Sequence, residues 1–89
     1  MRIISQGGYA DLPYEEIALC MDCEDIIARH NDKEYLMARY STMDKAQKAM
    51  YMLREKYKDY ARATNKSNFF TMFDYPKVFQ FPQDEDVEV

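Results

Sequence analysis

With 89 residues, 47% of them hydrophobic and 31% charged, the chain suits one small domain and is too apolar to stay disordered. No apolar run reaches the roughly 18 residues of a membrane span, and the start MRIIS lacks the hydrophobic segment of a secretory leader, so a cytoplasmic, membrane-free protein is the expectation. Of the 16 acidic side chains behind the net charge of −4, Asp84, Glu85, Asp86 and Glu88 crowd the last seven residues, leaving 12 against 12 basic ones in residues 1–82.

From the N-terminus, Met1 to Gln6 reads as a short strand. Gly7-Gly8 then supplies the positive φ of a hairpin turn, and Tyr9 to Tyr14 returns as a partner strand that Pro13 confines to a sheet edge. Ile17 to Cys23 alternates Ile17, Leu19, Met21 and Cys23 against Ala18, Cys20 and Asp22, the period of a strand. Ile26 to His30, the polar turn Asn31-Asp32-Lys33 and Tyr35 to Tyr40 form a further hairpin.

The run from Ser41 to Tyr60 combines cap, period and charge. Ser41 is placed at the N-cap with Asp44 three residues on, a carboxylate version of the capping box. Met43, Ala46, Ala49, Met50, Leu53, Tyr57 and Tyr60 then recur at steps of three and four, a stripe that must pack on the sheet. Residues 45–66 hold seven Lys and Arg against Glu55 and Asp59. Asn65 to Asn68 reads as a turn. Phe69 to Phe81 reads as two extended pieces separated at Pro76, the second alternating Phe79 and Phe81 about Gln80 and ending at Pro82.

The predicted fold is therefore α+β: a small antiparallel sheet of about four to six short strands, with one long amphipathic helix on one face. Residues 1–82 form a single globular domain, and 83–89 read as an acidic, flexible tail. A domain of this size buries only roughly 60 to 65% of its unfolded surface, so sharing a core in a homo-oligomer would stabilise it.

Most catalytic and metal chemistries find no support. Cys20 and Cys23 have the spacing of a zinc knuckle or redox dithiol, but His30 is the sole histidine, too few for a four-ligand zinc set. On one strand the two thiols diverge, with Cα atoms about 10 Å apart, beyond disulfide reach, so both read as structural. His30 beside a polar turn has no legible orienting partner. Glu15-Glu16 and Glu24-Asp25 are simplest as solvating, edge-protecting charges. No phosphate loop, nucleophile elbow or zinc-protease motif occurs. No catalytic residue, metal or cofactor is predicted, and the neutral body and repulsive tail argue against double-stranded DNA.

One surface is more specific. Gln47, Tyr51, Arg54, Lys58 and Arg62 follow at steps of four, three, four and four along the helix flank, a stripe in which Tyr51 can stack on a base while the cations neutralise phosphate. The plainer reading is a solvated flank whose cations pair with Asp44, Glu55 and Asp59. Met52 on the outermost side, with Phe73, Tyr75 and Phe79 from the aromatic segment, is a candidate interface, since a small core cannot hide so many rings; the plainer reading of the aromatics is core packing alone, which a domain this small needs. The tail reads alternatively as a nucleic-acid mimic or a competitor lying across the basic helix.

MRIISQ followed by glycine, DLPYE, YSTMDKAQKAMYMLREKY and FQFPQDEDVEV together resemble a group of short uncharacterised proteins of Firmicutes genomes, prophages and phages. The Gln-Asp-Gly turn usual in that group is Gln6-Gly7-Gly8 here, which keeps the turn and loses an acid. The resemblance implies a non-enzymatic binder of phage or mobile-element type, of a kind that can antagonise bacterial defence by capturing a nucleotide signal. Two other expectations stand beside it: an inhibitor that binds a host protein through the aromatic segment and acidic tail, and a small structural or regulatory subunit.

Overall fold

A computed structural model describes residues 1–65 and 78–89. The strands are β1 (Arg2–Ile4), β2 (Asp11–Pro13), β3 (Ala18–Asp22), β4 (Asp25–His30), β5 (Lys33–Arg39) and β6 (Val78–Gln80), with one helix, α1 (Met43–Asn65), between β5 and β6. The α+β class is as expected, but the strands divide into two three-stranded sheets, β2-β1-β6 and β3-β4-β5. All ladders are antiparallel except β1 with β6, which pair in parallel, Ile3 opposite Phe79.

Local chemistry accounts for the hairpins. Between β1 and β2, Gly8 takes φ 81°. Ser5, fully buried, exchanges bonds across this turn: its N–H donates to the Ala10 carbonyl at 2.8 Å and its Oγ accepts from the Ala10 N–H at 3.1 Å. Between β4 and β5, His30 pairs with Lys33, leaving Asn31 (φ 52°) and Asp32 (φ 65°) as a two-residue loop, and Asn and Asp tolerate this left-handed region best.

A bulge lies where the two sheets meet. Ile26 faces Ala38 while Ile27 faces Leu36, so Met37 is an extra residue in β5, and such an insertion bends its strand. Met37 and Ala38 are consequently both buried, and the Met37 carbonyl accepts from the Gln6 N–H at 2.7 Å, joining the two sheets.

The helix packs nearest to β4. Ala46, Ala49 and Leu53 are buried, facing a core that includes Ile26, Ala28, Met37 and Ala38; alanines on both sides allow the close approach. Met50, Tyr57 and Tyr60 are half-buried at the margin, but Met43, expected in the stripe, is 50% exposed, because it opens the helix ahead of the covered turns. The cap also differs from expectation: Thr42, not Ser41, accepts the Lys45 N–H on its Oγ1 at 3.2 Å and the Ala46 N–H on its carbonyl. The helix continues to Asn65, five residues past the expected end at Tyr60.

The acidic tail is docked rather than free. Asp84 accepts the Ser41 N–H at 2.7 Å and meets the Lys45 ammonium at 3.3 Å, and Val87 is 3% exposed within the core. Tail and helix do meet, but at the helix start and not across the cationic flank. The first of the two expected extended pieces, from Phe69 up to Pro76, lies outside the described residues, as does most of the turn at 65–68; the piece about Gln80 is β6. No described helix is long and apolar enough to cross a membrane.

Candidate functional site

The helix brings Gln47, Tyr51, Arg54 and Lys58 to its exposed side, and Arg62 lies further along α1 with its side chain outside the described residues. Glu55 divides this stripe. The Tyr51 hydroxyl donates to Glu55 Oε1 at 3.1 Å, and Lys58 Nζ sits 3.0 Å from Glu55 Oε2. The Lys48 ammonium lies 5.6 Å from the Tyr51 ring centroid, within cation–π range. Tyr51 and Lys58 are thus partly spoken for by helix neighbours three and four residues away, as on an ordinary solvated flank. Arg54 forms no ion pair or hydrogen bond with any described residue.

Arg54 instead borders a groove. Together with Met50 and Leu53 it forms the helical wall of an open cavity of about 330 Å³, whose other wall is Tyr14, Ile17 and Leu19. The groove arises because β3 is the outer strand of its sheet while α1 lies nearest β4, so the inward side chains Ile17, Leu19 and Met21 remain half-exposed. Beyond Tyr14 the aromatic surface continues along the helix: Tyr14 and Tyr57 have ring centroids 4.6 Å apart, and Tyr57 and Tyr60 5.7 Å. Burial, then the nearby Glu15 carboxylate, pushes the Tyr57 phenol up, so it stays a neutral surface at physiological pH. A largely apolar trough with the Arg54 guanidinium at its rim can hold a flat or apolar body that carries an anionic group.

The candidate interface residues separate. Met52 is half-buried against the core rather than on the outermost side, and Phe79, 8% exposed, packs edge-on against Phe81 with centroids 5.4 Å apart. Phe79 is therefore a core residue: its alternation with Phe81 follows from β6 lying beside β1. Phe73 and Tyr75 lie outside the described residues. Cys20 on β3 and Cys23 in the following turn, where it takes φ 57°, are free and exposed, so neither has the packing role expected of it. No cluster of three or more metal-ligating side chains occurs among the described residues.

Tyr14, Ile17, Leu19 and Met50 were missed as groove residues. The alternation of Ile17, Leu19 and Met21 is visible in the sequence, but only the position of β3 at the sheet edge leaves it uncovered. Comparison with protein-family models, curated proteins and solved structures returns no significant match.

Proposed function

We propose that this chain is a non-enzymatic binding module of phage or mobile-element type, self-associating and acting in the host cytoplasm, that antagonises bacterial defence by capturing a nucleotide signal in the groove between α1 and β3. The observation that carries the reading is Arg54, a guanidinium without a partner among the described residues, at the rim of an apolar groove beside Tyr14. In this arrangement Arg54 takes a phosphate, Tyr14 presents a ring to the base, and Ile17, Leu19 and Met50 exclude water. Lys58 and Tyr51 serve as outer contacts, because Glu55 already engages both. The phage context comes from the motif resemblance alone. A host-protein inhibitor working through the tail has less to stand on, since Asp84 and Val87 are engaged within the fold and Phe79 is buried.

Calorimetry against a panel of cyclic and linear nucleotides tests the reading. Binding should weaken at least about tenfold in Arg54→Ala, the loss of one charge-assisted contact, and much less in Lys58→Ala. Absence of heat with every nucleotide at concentrations well above micromolar would sink it.

A further inference from the structure

We infer that the outer edge of β3 is where two copies of this chain pair, antiparallel about a two-fold axis through Cys20. The pairing carries the proposed self-association further and is independent of what the groove holds. The ladder between β3 and β4 runs from Ala18 opposite Arg29 to Asp22 opposite Asp25 around the two-residue loop Cys23-Glu24. Residues that close such a loop exchange both backbone hydrogen bonds, and the pattern then alternates along the strand. Asp22, Cys20 and Ala18 thus direct their N–H and C=O groups to β4, and Leu19 and Met21 direct theirs outward. No described residue pairs with that edge. Its acidic guards sit only at the ends, Glu16 before it and Asp22 and Glu24 after, while Ala18 to Met21 carries no charge, no proline and no bulge.

The edge fits a second copy of itself. With Cys20 opposite Cys20, Leu19 of each copy faces Met21 of the other as a hydrogen-bonded pair, so every outward group between them finds a partner. Ala18 faces the second copy's Asp22. Arg29 stands beside Ala18 on the same exposed face but already pairs with Glu34 on β5, so the fit rests on the backbone ladder and the contacts between Leu19 and Met21 and not on a charge pair across the axis. Glu16 would face the second copy's Glu24, which confines the ladder to 17–23. An axis perpendicular to the sheet leaves both helices on one face. The two β4 strands are then three spacings, about 14 Å, apart, wider than the 8–10 Å of touching helices, and the two grooves open toward each other with an Arg54 on each side.

The two thiols give an internal ruler. In this register the Cys20 pair lies opposite at a non-hydrogen-bonded position, Cα atoms about 4.5 Å apart, at the short end of the disulfide range. The two Cys23 residues, also exposed, are about 20 Å apart. Mild oxidation of the full chain should give a covalent dimer in the wild type and in Cys23→Ser but not in Cys20→Ser. Sedimentation equilibrium of Cys20→Lys, which sets like charges opposite each other on an exposed position, should show association weakened about fivefold or more with an unchanged circular dichroism spectrum. A wild-type chain that sediments as a monomer at millimolar concentration would overturn the pairing. So would cross-linking through Cys23, or a dimer indifferent to Cys20→Lys. None of these readouts involves a nucleotide.

Discussion

Strands β5 and β3 flank the same central strand, yet their outer edges are finished differently. On β5, the Met37 carbonyl takes the Gln6 N–H, the Arg39 N–H donates to Gln6 Oε1 at 3.1 Å, and the Leu36 carbonyl takes the Tyr9 hydroxyl at 3.3 Å. Along β3 no described residue plays that part. A glutamine and a tyrosine from the first hairpin close one side of the sheet, and the bulge at Met37 turns its carbonyl toward them. The contrast teaches that edge protection here depends on tertiary placement: among the described residues, only β5 has a neighbour along its outer edge.

Substitution of the shared centre removes the contrast altogether. Ile26 on β4 is fully buried, so Ile26→Ala should cost about 2–5 kcal/mol in urea-unfolding stability, a large share of what a domain of this size has, and should expose both edges together.

Gln6→Ala tests the guarded edge alone. It deletes the acceptor for Arg39 and the donor that reaches the Pro82 carbonyl at 3.0 Å, an expected loss of about 1–2 kcal/mol. A matched change on the other side, Cys20→Ser, should leave the unfolding stability of the monomer within about 0.5 kcal/mol. Equal effects from the two would erase the asymmetry.

Acid should loosen the guarded side first, with the smallest effect. The Ser41 N–H, and after it the Lys45 ammonium, hold the Asp84 carboxyl below its ordinary value. Because the folded value is the depressed one, this contact stabilises the fold above about pH 4 and is lost as pH falls through the lower folded value. Asp25 behaves alike beside Arg39. Thermal melts of Asp84→Asn should be flatter through that acid window than those of the wild type; a parallel decline would show that the tail contact does not contribute.

Much of the local structure was legible because it depends on neighbours in sequence. Gly7-Gly8 and Asn31-Asp32 mark turns through their own φ preferences, the alternation from Ile17 to Cys23 marks β3, and Ala46, Ala49 and Leu53 mark the buried helix face. The cap was misplaced by one residue because Ser41 and Thr42 carry equivalent hydroxyls, and the backbone N–H of Ser41 was claimed instead by Asp84 from the far end of the chain. The flank stripe was legible as spacing, but its division by Glu55 depends on which rotamers meet.

The sequence by itself determined the α+β class, the hairpins and the amphipathic helix, since turn residues and hydrophobic period act over a few residues. Tertiary structure decided the parallel pairing of β1 with β6, the split into two sheets, the docking of Asp84 and Val87, and the groove beside Arg54. Those features join segments far apart in the chain whose apolar patterns fit several partners equally well, and only the packing of the whole core selects among them.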